Sequence, residues 1–130
     1  KEASGSLEQV DEIIKNKPAR FDGISGDDAL TFSMVASGAA GSISVIGNAL
    51  PKEVSRMIRL EFNGEYEAAR TIHHRFTELY SLLFIDGNPA GVKALLHEMG
   101  FIENVLRLPL VPTRITTLQK MTEILKTLKI

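Results

Sequence analysis

Two short runs in the first third of the chain alternate with helix-type patterns. Residues 20–25 and 42–46 are too short for helices, and a glycine follows each of them. We predict a strand in both places, and the nearly continuous apolar character of the second suits a parallel sheet that is buried on both faces. Apolar residues three and four positions apart predict helices over residues 7–17 and 29–37. The predicted order is therefore helix, strand, helix, strand.

Only helix patterns follow residue 48. The first three of these apolar stripes begin or end at proline, asparagine or glycine, which favour helix boundaries, and the last follows the proline-rich connector 108–112. In the first of these helices we expect Val54, Met57, Ile58 and Phe62 on the buried face. In all, four helices are predicted after residue 48, over residues 51–62, 65–83, 89–99 and about 115–128.

Composition narrows the classes of function. The chain has 130 residues, a net charge of −1 and no basic block, which argues against a nucleic-acid or anionic-membrane partner. It contains no cysteine, which excludes disulfides and thiolate metal sites and fits a reducing compartment. No apolar run approaches the roughly 20 residues that cross a bilayer. We expect a soluble, cytoplasmic protein.

Two apolar parallel strands cannot cover their own edges, and unpaired edges favour aggregation. More strands, from an upstream segment or another chain, would solve this problem. We therefore expect the sequence to be the C-terminal part of a longer chain.

Lys1 is the first candidate for chemistry. If a strand ends at Lys1, three strand ends meet at one rim: Lys1, the stretch 23–28 and the stretch 41–48. A lysine with apolar walls around it can lose its charge and act as a nucleophilic amine, because burial disfavours the ammonium form. Most lysines are solvated surface charges, so residue type alone does not establish this role.

Five motifs carry a resemblance to a known family. In order and spacing they are similar to the C-terminal part of the dihydrodipicolinate synthase family, whose members are pyruvate-dependent class I aldolases. The resemblance implies a (β/α)8 TIM barrel followed by a C-terminal helical domain, with residues 1–62 in the barrel and 63–130 in the helical domain. The five motifs are Lys1-Glu2-Ala3-Ser4-Gly5, Ser25-Gly26-Asp27-Asp28, Gly41 to Asn48, Asn88-Pro89 and Leu106-Arg107-Leu108-Pro109.

The resemblance implies a reaction and its residues. Lys1 would form a Schiff base with pyruvate, which would then condense with L-aspartate semialdehyde in the first step of the lysine and diaminopimelate branch. Ile43 would contact the pyruvate unit through its backbone, and Gly26 would lie beside Lys1, where a Cβ would intrude. No cofactor or metal is implied, and the family suggests a homotetramer. Because other catalytic residues would lie upstream, the 130-residue segment alone is predicted to be inactive.

Two alternatives stay open. A sister pyruvate-dependent lyase, such as an N-acetylneuraminate lyase or a 2-keto-3-deoxy sugar acid aldolase, would share the barrel and the lysine. A non-catalytic oligomerisation fragment would share neither the reaction nor the need for Lys1.

Several residues have structural interpretations. We interpret Asp27 and Asp28 as caps of the helix that follows them and not as acid–base groups. Residues 38–41 are predicted to form a tight turn and not a phosphate cradle. Gly91 stands where many relatives have a proline, which indicates either a subgroup or a looser helix start.

Three histidines, His73, His74 and His97, are expected on the surface and not in a metal site. Asn48 and Asn88-Pro89 are expected to fix loop geometry.

Overall fold

The computed structural model describes all 130 residues, which form two compact units, Lys1–His74 and Arg75–Ile130. None of the helices is both long and apolar enough to cross a lipid bilayer. The helices are α1 (Leu7–Asn16), α2 (Thr31–Ala36), a 3₁₀ helix (Ile46–Asn48), α3 (Pro51–Phe62), α4 (Tyr66–Arg75), α5 (Thr77–Ile85), α6 (Ala90–Glu98) and α7 (Ile115–Leu128).

Three extended segments lie side by side in the first unit. We call residues 1–3, 23–26 and 40–43 the first, second and third segments. Ser25 forms single parallel bridges to Glu2 on one side and to Ser42 on the other. The parallel arrangement agrees with the expectation, but the predicted strands over 20–25 and 42–46 are wrong in extent.

Local hydrogen bonds explain why the pairing is so short. The amide of Phe21 donates to the carbonyl of Pro18 at 2.9 Å, which places Phe21 in a turn before the second segment. At the other end, the amides of Val45 and Ile46 bind a carboxylate, and Ile46 begins the 3₁₀ helix. A turn and a helix start therefore take the residues that were expected to extend the two strands.

The helices of the first unit largely follow their sequence signals. Ser6 caps α1 by accepting from the amide of Gln9 at 3.2 Å, and the Gln9 side chain donates to the Glu2 carboxylate at 3.2 Å. Gly38, with φ of +108°, follows α2 as expected of a glycine at a helix C-terminus. Inward-facing residues of α1 and α2 and the following turn form the core cluster Val10, Met34, Val35 and Ala39.

The predicted helix over residues 65–83 is wrong, because the chain leaves the helical conformation at Phe76. This residue has φ of −112° and ψ of 7°, and it separates α4 from α5. Its side chain is only 2% exposed. No glycine or proline marks the break, so packing of the buried ring, and not local chemistry, sets it.

In the second unit, α5, α6 and α7 pack against one another. Gly91 of α6 is buried against α5: a Cβ there would lie 2.7 Å from the carbonyl carbon and the Cα of Leu83. A backbone cannot move aside as a side chain can, so Gly91 permits a close helix crossing and does not mark a loose helix start. Asp86 follows α5 and accepts from the backbone amide of Arg114 at 3.1 Å, where α7 begins. The core of this unit includes Leu79, Leu83, Leu95, Met121 and Leu125.

Candidate active site at the ends of three parallel segments

Lys1 lies on the first segment, next to the residue that pairs with the second. The amide of Glu2 donates to the carbonyl of Ile24 at 2.9 Å, and the carbonyl of Glu2 accepts from the amide of Gly26 at 2.7 Å. The Lys1 side chain is exposed, so these 130 residues do not supply the apolar walls that were expected around it. Hydrogen bonds from Ser4, first from its side chain and then from its backbone, lower the pKa of the neighbouring Glu2 carboxyl.

Gly26 lies directly against the lysine. A Cβ on Gly26 would lie 3.0 Å from Cγ of Lys1 and 3.1 Å from Cβ of Ala3, and it would come closer still to Cε of the lysine. The missing side chain of Gly26 therefore leaves the space that the aliphatic stem of Lys1 occupies. The structure places Gly26 beside Lys1, as expected.

Ile43 lies at the end of the third segment. Its amide donates to the carbonyl of Ser25 at 2.8 Å, and its side chain is 55% exposed. The backbone at this position is held by this hydrogen bond, and the side chain is exposed. Since Ser25 pairs with both neighbours, Lys1, Gly26 and Ile43 lie on three adjacent segments.

The two aspartates after Gly26 bind backbone amides. Asp27 accepts from the amide of Ala29 at 3.0 Å. Asp28 is 4% exposed, and one of its oxygens accepts from the amides of Val45 and Ile46 at 3.0 and 2.7 Å. The prediction that these aspartates cap the following helix is therefore wrong for both, because α2 begins at Thr31 without a side-chain cap. Asp27 binds the turn before α2, and Asp28 caps the 3₁₀ helix after the third segment. By binding these two amides, the Asp28 carboxylate fixes the start of the 3₁₀ helix.

Sequence reasoning missed a group of hydroxyls beside these residues. Ser25 and Thr31 are 0% and 1% exposed, and their hydroxyl oxygens are 2.9 Å apart. Thr31 also lies 3.4 Å from the hydroxyl of Ser42. The sequence gives no signal for this group, because only the fold shows that these positions face the interior.

An open groove of about 370 Å³ follows the third segment, between Ser42, Ser44 and the face of α3 that carries Val54. Asn48, at its edge, donates from its side chain to the carbonyls of Ser44 and Val45. This confirms that Asn48 fixes loop geometry.

The histidines do not share one environment. His73 is half-buried, and its ring stacks on Phe32 with 5.5 Å between ring centroids. Burial, and then the neighbouring His74, lower the pKa of His73. The expectation of a surface residue is therefore wrong for His73, while His74 and His97 are exposed. No group of three histidine and acidic side chains is arranged to bind a metal ion.

Glu61 is the most unusual ionisable group of the first unit. It is 2% exposed, and neither carboxylate oxygen has a hydrogen-bond partner. Burial raises the pKa of Glu61 to about 7. The stripe predicted on α3 was wrong at this point, because Glu61 is buried and Phe62 is 59% exposed.

Comparison with known proteins places these residues in context. A profile of the Dihydrodipicolinate synthetase family matches residues 1–128. Proteins of Parabacteroides distasonis and Phocaeicola vulgatus, both named 4-hydroxy-tetrahydrodipicolinate synthase, are 66% and 68% identical to this chain over 130 residues. Each match covers 100% of the chain but 44% of the relative. The chain thus spans less than half the length of these relatives.

Solved structures agree with the sequence matches. Dihydrodipicolinate synthase from Aquifex aeolicus superposes with a TM-score of 0.93 at 38% identity, over 99% of this chain and 44% of that one. The chloride-inhibited enzyme from Acinetobacter baumannii, solved in complex with pyruvate, gives 0.91 at 32% identity, over 97% and 43%. The chain therefore has the fold of a fragment of these TIM-barrel enzymes. Because the profile covers nearly all of it, the chain belongs to the dihydrodipicolinate synthetase family.

Proposed function

We propose that the protein carrying this chain is a 4-hydroxy-tetrahydrodipicolinate synthase in which Lys1 is the Schiff-base lysine. One observation carries the proposal: the chain places a lysine stem in the space left by Gly26, at the end of parallel segments, in a sequence 66–68% identical to proteins of that name. Catalytic groups at the C-terminal ends of strands are the rule in barrels of this kind.

The reaction begins at Nζ of Lys1. The uncharged amine attacks the ketone carbon of pyruvate, the carbinolamine loses water, and the resulting imine takes up a proton. The iminium withdraws electrons, so the methyl group of pyruvate releases a proton to give the enamine. The enamine carbon adds to the aldehyde carbon of L-aspartate semialdehyde, whose oxygen becomes a hydroxyl group. The amino group of that substrate then displaces Lys1 and closes the ring.

Gly26 and Ile43 serve the first of these steps. Gly26 lets the lysine stem lie against the second segment, which fixes the direction from which Nζ approaches the ketone. Ile43 offers the pyruvate unit a backbone held by the hydrogen bond that its amide donates to the carbonyl of Ser25. These roles follow the family resemblance, and the geometry of both residues is compatible with them.

The rest of the proposal concerns the whole protein. Residues 1–62 form the last part of a (β/α)8 barrel and 63–130 a helical domain, and the protein assembles as a cytoplasmic homotetramer that needs no cofactor. The three parallel segments support the barrel, and the absence of cysteine is compatible with the cytoplasm.

Borohydride trapping tests the proposal. The intact protein is incubated with pyruvate, reduced, weighed by mass spectrometry and digested to locate the adduct. We expect one added pyruvate, less one water and plus two hydrogens, on Nζ of Lys1. Lys1→Arg should form no adduct, whereas Lys52→Arg, which changes an exposed lysine of α3, should react as the wild type does.

The second substrate is tested by product formation. Consumption of L-aspartate semialdehyde with pyruvate supports the synthase, and cleavage of a sugar acid instead would favour the sister lyases. A protein that forms no adduct would contradict the proposal and leave the oligomerisation fragment as the better description.

A further inference from the structure

Three hydroxyl groups from three elements meet beside the turn that carries Gly26. Ser25 lies on the second segment, Thr31 begins α2, and Ser42 lies on the third segment. Oγ1 of Thr31 is 2.9 Å from Oγ of Ser25 and 3.4 Å from Oγ of Ser42. Since Ser25 and Thr31 are both buried, their hydroxyls must find partners within the protein.

The hydroxyls close a ring on the backbone of Asp27. The amide of Asp27 donates to Ser25 at 3.3 Å, Ser25 donates to Thr31, and Thr31 donates to the carbonyl of Asp27 at 2.8 Å. Each hydroxyl has one proton, and this arrangement uses both. In the alternative arrangement, Ser25 donates directly to the same carbonyl at 3.0 Å. Both arrangements hold the turn from Ser25 to Asp27 in one conformation.

The same turn sets the position of the lysine. Gly26 stands in the middle of it, donates its amide to the carbonyl of Glu2 at 2.7 Å and leaves the space that the Lys1 stem fills. Ser25 also holds the third segment by two backbone hydrogen bonds. Its amide donates to the carbonyl of Gly41, and its carbonyl accepts from the amide of Ile43, each at 2.8 Å. A change in the turn would therefore move the lysine stem, whereas Ile43 stays held by its own backbone hydrogen bond to Ser25.

We propose that Thr31 is a positioning residue for the Schiff-base lysine, and that its hydroxyl acts through Ser25 and Asp27 to hold Gly26 in place against Lys1. This inference rests on the proposed function. Thr31 contributes because it is the one member of the ring that α2 supplies, so it ties the turn to a helix whose inward face is packed in the core. It acts through the turn and not on the reacting atoms.

Timed borohydride quenching of the intact protein with saturating pyruvate tests this role. Thr31→Val keeps the shape of the side chain and removes the hydroxyl. We expect the rate of adduct formation on Lys1 to fall roughly 10- to 100-fold, since small misplacements of a reacting group have effects of this size. The half-saturating pyruvate concentration should change less than about threefold, because pyruvate binding itself is not altered. Thr31→Ser should restore the rate to within about threefold of the wild type, because it returns the hydroxyl.

A matched control separates positioning from general loss of a buried hydroxyl. Thr117 of α7 is 4% exposed and donates its hydroxyl to Asp86, so Thr117→Val removes a comparable group from the other compact unit. We expect it to lower the denaturation midpoint and leave the trapping rate within about twofold of the wild type, because it does not touch the turn. If Thr31→Val does not fold, Ser25→Ala opens the ring at its other hydroxyl and should slow trapping in the same way.

The outcomes are distinguishable. A slow Thr31→Val protein, a restored Thr31→Ser protein and an unaffected Thr117→Val protein support the inference. Trapping within twofold of the wild type in Thr31→Val or in Ser25→Ala overturns it, as does an equal loss in Thr31→Val, Thr31→Ser and Thr117→Val. A wild-type protein without any adduct on Lys1 overturns the proposed function as well, whereas a reactive wild type with unchanged variants overturns the positioning role alone.

Discussion

The buried carboxyl of Glu61 makes the stability of the protein depend on pH. Burial raises its pKa from 4.5 to about 7, and no hydrogen bond offsets the cost of ionising it inside the protein. The elements that pack against α3 include α2 and the 3₁₀ helix, and neither carries an ionisable side chain. Burial, and then the neighbouring His74, lower the pKa of His73, which stacks on Phe32 of α2.

The sign of the effect follows from proton binding. Between about pH 4.5 and 7 the unfolded chain has released the Glu61 proton and the folded chain still holds it, so the free energy of unfolding falls as the pH rises. The slope is about 1.4 kcal/mol for each pH unit, and the whole effect is about 3 kcal/mol. The contribution of Glu61 to stability is complete below about pH 4.5 and is lost by about pH 7.

Glu61→Gln removes the titration and keeps the shape of the side chain. The variant should gain stability relative to the wild type as the pH rises, by about 3 kcal/mol between pH 4.5 and 8. Equilibrium denaturation at a fixed protein concentration over this range measures the difference. Glu12→Gln, which changes an exposed glutamate of α1, should give a curve parallel to that of the wild type. Parallel curves for Glu61→Gln and the wild type would show that Glu61 is already ionised or paired in the folded protein, and would refute this reasoning.

Three further predictions concern single residues. Gly26→Ala should slow adduct formation on Lys1 by about 100-fold in the trapping assay, because the new Cβ occupies the space of the lysine stem; an unchanged rate would show that the stem is not aimed by this contact. Gly91→Ala should lower the free energy of unfolding by about 2 kcal/mol in denaturant titrations, because its Cβ meets the backbone of Leu83, and an unchanged midpoint would contradict so close a crossing. Asp28→Ala should cost about 2 kcal/mol in the same measurement, because two amides lose their acceptor; full stability together with lost activity would instead favour an acid–base role.

Helix ends were predictable from the sequence where local chemistry sets them. Ser6 and Pro18 bracket α1, and Pro51 and Asn63 bracket α3, because a cap or a missing amide acts within one turn. The break at Phe76 was not predictable, since its cause is burial of the ring in the tertiary structure.

Strand extents depended on more than the sequence of each run. Residues 42–46 have the composition of a buried strand, yet Asp28 binds the amides of Val45 and Ile46 and a 3₁₀ helix begins there. The partner that ends the run lies 17 and 18 residues earlier in the chain. The capping power of an aspartate could be inferred from its type, but the helix that it caps could not.

In the candidate site, too, one contact could be expected beforehand and another could not. The contact of Lys1 with Gly26 was expected, because the family resemblance of the Ser25-Gly26-Asp27-Asp28 motif implies it. The ring of Ser25 and Thr31 leaves no such mark, since a serine and a threonine six residues apart occur in any polar turn and only the fold brings their hydroxyls to 2.9 Å.

On α3 the helical spacing of the buried positions was predicted correctly, but the residue that is buried at the end of the stripe, Glu61, was not. Val54, Met57 and Ile58 define an inward face of α3, and positions 61 and 62 both continue it at helical spacing. The preference for an apolar residue moved the prediction to Phe62, which lies 59% exposed while the glutamate is buried. Periodicity follows from backbone geometry and holds whatever side chain occupies the position, whereas the expectation of an apolar side chain is a tendency that one residue can violate at an energetic cost. The position of the violation is therefore informative, because a carboxyl kept inside at the end of a regular stripe opposes folding at neutral pH.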